Sequence, residues 1–155
     1  MAAYYTSQEY DAPSSFIWTV LTDFGSWPEW FPNLSELRFN ADDPRDGMEL
    51  VGIGERPDEW TRWQISRFAA PSLLRCEHVD SNVPLSRGVA AAYLLFELAD
   101  DEEGCRLDLE IGAQGQGIIG DLVVGTGLNF GARRLLPEII DAFNGHVVRR
   151  ASAGT

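Results

Sequence analysis

Basic residues are scarce in this chain: 12 basic side chains face 24 aspartates and glutamates, for a net charge of -12. That balance excludes a nucleic-acid backbone or an anionic membrane surface as the main partner, because either would be repelled. A solvated acidic surface is the plain explanation. Cysteine is scarce too: Cys76 and Cys105 form no C-x-x-C pair and read as buried thiols, not as a disulfide framework. No segment approaches the ~18–20 apolar residues of a membrane span. The opening "MAAYYTSQEYDAP" has no basic stretch followed by an apolar run, so a cytoplasmic location is expected.

With 155 residues, 45% of them hydrophobic, the chain can bury one sizeable core. One domain over residues 1–150 is expected, with 151–155 as a disordered tail. "AYYTSQEY" reads as a strand, and "DAP" begins a helix from about Pro13 to Thr22 whose Phe16, Ile17, Val20 and Leu21 share a face with Phe24. "WPEWFPN" holds three large aromatics around two prolines and reads as one docked helical turn. From Leu34 to Gln116 the periodicity is two, broken by turn signals such as "ADDPRDG", "RPD", "AAP" and "ADDEEG", which predicts six strands in an antiparallel meander. In the last of them Cys105, Leu107, Leu109 and Ile111 alternate with Arg106, Asp108 and Glu110, giving a dry and a wet side. Leu128, Ala132, Leu135, Ile139, Phe143 and Val147 then form the stripe of a long closing helix.

Gly115, Gly117 and Gly120 have the G-x-G-x-x-G spacing of a dinucleotide site. That site needs a further strand after the glycines, and the remaining ~35 residues read as helix, with Glu138 inside it. Nucleotide binding is therefore not expected. Residues 115–127 instead pose two alternatives, a mobile gate carrying "IIGDLVV" or close packing of helix backbone on the sheet.

The segment "DAPSSFIWTVLTDFGSWPEWFPNL" resembles the opening of the START-like (Bet v 1-like) superfamily, the polyketide cyclase/dehydrase and lipid transport group, and "WQISRFAAPSLLR" is similar to a later strand and turn of it. The resemblance covers nearly the whole chain. It implies an α+β helix-grip fold: a curved seven-stranded antiparallel sheet around a long C-terminal helix, with two short helices between strands 1 and 2. It also implies a cavity between sheet and helix, and a small hydrophobic or aromatic ligand, lipid or polyketide-like. Alternatives are a cyclase or dehydratase using the same cavity, and a protein-interaction module with an exposed apolar patch.

Strand parity and this fold nominate Trp30, Phe31, Trp63, His78, Tyr93, Phe96, Leu109, Ile111, Gln116 and Leu128 as ligand contacts. For the apolar ones ordinary core is the competing reading. His78 and Tyr93 are the candidates for assisting proton transfer, against a satisfied strand-end histidine and a surface tyrosine. Gln114, Asp121 and Asn129 are polar groups near the expected cavity mouth. Cys76 and His78 suggest a metal pair at first, but the family's strand order puts Cys105 two strands away and the other histidine, His146, late in the helix. No metal or cofactor is expected, and the chain is expected to be a monomer or weak homodimer.

Overall fold

The structure, a computed structural model, describes residues 2–82, 89–115 and 117–153, and side chains other than those of 2, 89–91, 114–115 and 117–134. Strand β1 (Ala2–Tyr10) leads into α1 (Ser14–Leu21) and a 3-10 turn (Phe24–Glu29), here the aromatic turn. Strands β2 (Glu36–Phe39), β3 (Glu49–Ile53), β4 (Trp60–Ala69), β5 (Leu73–Ser81), β6 (Val89–Asp100) and β7 (Cys105–Gly115) follow, then α2 (Gly117–Ala153). The strands form one antiparallel sheet in the order β1-β7-β6-β5-β4-β3-β2, so β2 to β7 are a meander and β1 adds at its far edge. This is the expected fold. Among the described residues no helix is long and apolar enough to cross a membrane.

Alternation decides the two faces. Leu94, Phe96 and Leu98 of β6 stand opposite Ile111, Leu109 and Leu107 of β7, and all six are buried toward α2. Leu74 and Cys76 of β5, Ile65 of β4 and Leu50 of β3 continue that dry face. The wet face carries Arg106, Asp108 and Glu110 with Ser7 and Glu9 of β1. Cys76 and Cys105 are both free and buried, and their strands β5 and β7 lie two apart with β6 between them, as expected.

Helix α1 buries Ile17, Trp18, Val20 and Leu21. Its N-terminus is satisfied from outside, since Asp100 Oδ1 at the end of β6 accepts from Ser14 N at 3.1 Å. Helix α2 begins at Gly117, eleven residues before the expected start, and it reaches Ala153, so its last turn occupies positions that read as tail. Gly115 to 127 therefore holds mostly helical backbone, although the side chains of 117–134 lie outside the described residues. The buried stripe of α2 runs through Leu136, Ile139, Ile140, Phe143, His146 and Val147, with Leu135 only partly buried. At Leu135 the expected stripe is off by one position, because Leu136 rather than Leu135 lies in phase with Ile139, Ile140 and Phe143.

Candidate functional site

The aromatic turn is the part of the sequence that builds the site. Trp27 donates from Nε1 to the Leu21 carbonyl at 2.8 Å, which folds the turn back against the end of α1. Its indole meets Trp30 at 4.9 Å, stacks on Phe31 at 5.6 Å and 14°, and touches Phe96 of the sheet at 5.8 Å. Trp30 continues the cluster to Phe143 of α2 at 4.9 Å. One indole thus joins α1, the turn and the sheet, and its neighbour joins the turn to α2.

Beyond the turn, Asn33 takes a left-handed backbone (φ 57°), a conformation asparagine tolerates better than most residues, and the chain then runs past β3. Leu34 passes over Gly52, where a Cβ would lie only 3.0 Å from Leu34 Cδ1. Gly52 and Gly54 sit two apart at the end of β3, so the same face loses two side chains and space opens. Two cavities occupy it. An apolar pocket of about 60 Å³ is lined by Trp27, Phe31, Leu34, Leu37, Leu50, Gly52, Trp63, Cys76 and Leu94. An open groove of about 480 Å³ lies outside it, where Pro32, Asn33, Gly54, Glu55, Glu59 and Thr61 join Phe31, Leu34, Gly52 and Trp63. The last four residues line both, so an apolar pocket adjoins a groove with a polar mouth. The groove has the volume of a small-molecule site, roughly 300–1,000 Å³, and the inner pocket alone does not.

Of the nominated ligand contacts, Phe31 and Trp63 line this site, while Trp30, Phe96, Leu109 and Ile111 are packed into the core. Gln116 and the side chain of Leu128, like those of Gln114, Asp121 and Asn129, lie outside the described residues. Tyr93 needs correction. It stands opposite Gly112 on the wet face, away from α2, because its parity is opposite to that of Leu94 and Phe96. Its ring covers Gly112, its hydroxyl donates to Glu110 Oε2 at 2.7 Å, and the Arg75 guanidinium lies 4.2 Å from its centroid. It therefore serves the sheet and cannot reach the site. The residues that sequence reasoning missed, chiefly Leu34, Gly52, Gly54, Glu55, Glu59 and Thr61, were signalled by the two glycines at strand spacing in "LVGIGE".

His78 is half-buried on the dry-face parity of β5 and meets Trp63 edge-on at 5.4 Å. Burial holds it below its ordinary pKa of 6.5, against the opposing pull of Asp80, so it is a neutral imidazole at neutral pH. The Cys76 thiol on the pocket floor is pushed up to about 12 by burial, so it is protonated and no nucleophile. Every one of the 12 basic residues is an arginine, and the sequence therefore offers no lysine amine for imine chemistry.

The turn also meets α2 through an ion pair and a buried imidazole. Arg150 Nη1 donates to Asp23 Oδ2 at 2.7 Å, and His146, 2% exposed, places Nδ1 3.7 Å from Glu29 Oε2. Burial lowers the His146 pKa below 6.5, as do Arg150 and Arg149, while Glu29 and Asp23 pull the other way. The unfolded chain therefore takes up the proton first as pH falls, so folding stability is full above about pH 6.5 and declines below it. Melting temperature is expected to drop between pH 7 and pH 5, and His146→Leu to reduce that drop, with His78 contributing the remainder; a variant as pH-sensitive as the wild type would show that His146 does not contribute to it.

The sequence profile of the family described as "Polyketide cyclase / dehydrase and lipid transport" matches residues 1–151. The chain belongs to that family. No curated protein matches it by sequence. Among solved structures it is similar to the di-domain ARO/CYC StfQ from the steffimycin biosynthetic pathway, at 14% identity and a TM-score of 0.74, over 97% of this chain and 51% of that one. The chain thus spans about half of that di-domain protein. Norcoclaurine synthase from Thalictrum flavum, in complex with dopamine and hydroxybenzaldehyde, is 16% identical with a TM-score of 0.71, over 96% and 87% of the two chains. Ara h 8.0201 is 9% identical with a TM-score of 0.71, over 96% and 98%. At such identities the likeness to these family folds is one of architecture.

Proposed function

We propose that this domain binds a small hydrophobic or aromatic molecule, lipid or polyketide-like, in the site between residues 31–34 and the dry face of β3 and β4. The observation that carries the reading is the adjacency of the two cavities, which share Phe31, Leu34, Gly52 and Trp63 as lining. An apolar floor gains from desolvating a ligand, and a polar mouth orients it. Membership of a family whose description includes lipid transport supports it, and so does a neighbour of the same fold that holds small aromatic molecules.

Trp27 and Trp63 both line the site, so binding should be read directly in tryptophan fluorescence. The neutral probe 2-naphthol is expected to quench it saturably. Gly52→Val puts a branched side chain where pocket and groove meet, and is expected to weaken that binding at least ~10-fold by steric exclusion, with far-UV circular dichroism retained. Unchanged affinity in Gly52→Val would place the binding elsewhere and remove this reading.

A second reading is catalytic, of the cyclase or dehydratase kind. It is favoured by the neutral His78 imidazole against Trp63, the residue that connects it to the site. A base of that kind would accept a proton from an activated carbon or hydroxyl of a poly-β-keto chain. Turnover of a poly-β-keto thioester that is lost in His78→Ala would carry it, and turnover indifferent to that substitution would end it.

A further inference from the structure

The two ends of the site differ in charge as well as polarity. Its inner pocket presents only apolar side chains, the protonated Cys76 thiol and the backbone of Gly52. Its mouth presents two carboxylates, Glu55 and Glu59, beside Asn33 and Thr61, and among the described residues no basic side chain lines either cavity. The Glu59 carboxylate leans over Gly54, where a Cβ would lie 3.1 Å from Oε2, so the missing side chain is what lets the carboxylate border the groove. Arg56 approaches Glu59 only to 4.0 Å and is 81% exposed, a weakly held pair that solvent screens. Among the described residues Glu55 has no ion-pair partner. Arg62, the nearest arginine of β4, is turned to Glu49 and Asp80 on the other face of the sheet.

Aromatic rings add to this. Trp63 and Phe31 wall both cavities, and the faces of such rings attract cations. A ligand bearing a carboxylate would have to set it against Glu55 and Glu59, or bury it in the pocket with no partner. A neutral ligand would leave the two carboxylates unused. A ligand with an apolar tip and a positive nitrogen meets every one of these surfaces.

Resting on the ligand-binding reading above, we propose that the site is selective for organic cations: an aromatic or apolar body whose tip enters the pocket, and an ammonium group held at the mouth by Glu55, Glu59 and the Trp63 ring. Three matched probes test it: 2-(2-naphthyl)ethylamine, 2-(2-naphthyl)ethanol and 2-naphthylacetate, titrated by tryptophan fluorescence at neutral pH in low and high salt. The amine is expected to bind roughly tenfold more tightly than the carboxylate in low salt, with the margin shrinking as salt rises. In the double variant Glu55→Gln, Glu59→Gln the ratio of amine to alcohol affinity is expected to fall to near one. If the alcohol saturates the wild type and the amine has no advantage, or if the advantage survives in the double variant, the charge selectivity is overturned and the binding reading stands. If none of the three saturates, the binding reading fails and takes this one with it.

Discussion

Trp27→Ala is expected to destabilise the domain by about 3–5 kcal/mol, the range for deleting a large aromatic side chain from a closed core. At this chain length that lowers the melting temperature by roughly 6–20 °C. The indole is 4% exposed and contacts Phe24, Trp30, Phe31 and Phe96, and its Nε1 also satisfies the Leu21 carbonyl at the end of α1. Truncation removes the packing, leaves that carbonyl without its donor and enlarges the apolar pocket that the ring helps to wall. Trp27→Phe separates these effects: it keeps a ring against Phe96 and loses the hydrogen bond, which contributes about 0.5–1.5 kcal/mol. Thermal denaturation of both variants checks the assignment. A loss under about 1 kcal/mol in Trp27→Ala would mean that the aromatic turn is not the joint between α1, sheet and site that its contacts describe.

The same turn marks how far the sequence could be read. Period-two alternation located β2 to β7 and the dry face of β7, because a strand's side chains have no choice but to alternate. Crowded aromatics between Pro28 and Pro32 announced a docked segment, but not that Trp27 would touch Phe96 while Trp30 touched Phe143, since those partners are fixed by tertiary packing. Tyr93 was legible in principle. In "AAYLLFEL" either Leu94 and Phe96 or Tyr93 and Leu95 could face inward, and an aromatic covering Gly112 from the wet face competes with a core aromatic on sequence alone. The glycines of "LVGIGE" were the one local sign of the groove, yet its other wall comes from Phe31 to Leu34, distant in sequence. His146 lay on the buried stripe of α2, at i+3 from Phe143, and its burial follows from that spacing although polar residues usually avoid it. Nothing local, however, could have paired it with Glu29.

Gly104→Ala is expected to destabilise the fold by about 3 kcal/mol or more, and to do so without touching the site. The turn "ADDEEG" reads in sequence as a solvated hairpin tip, and its glutamates are exposed. Two of its aspartates are nevertheless structural: Asp101 Oδ1 accepts from the backbone N–H groups of Glu103 and Gly104, and Asp100 caps α1 at Ser14. The hairpin is thereby pressed against the junction of β1 and α1. A Cβ on Gly104 would overlap the Tyr10 carbonyl and lie 3.0 Å from the backbone nitrogen of Ala12, and backbone cannot rotate aside as a flexible side chain can. Either the hairpin lifts, weakening the Asp100 cap and the register Tyr10↔Cys105, or β1 pulls away from β7. Amide exchange separates these: opening confined to residues 100–105 and the first turn of α1 indicates the first, and loss of protection along β1 the second. Because Gly104 is far in the sheet from β3 and β4, 2-naphthol affinity at a temperature where Gly104→Ala is still folded is expected to match the wild type. A variant as stable as the wild type would show that this junction is loose enough to admit a methyl group, and that the hairpin does not clamp the start of α1.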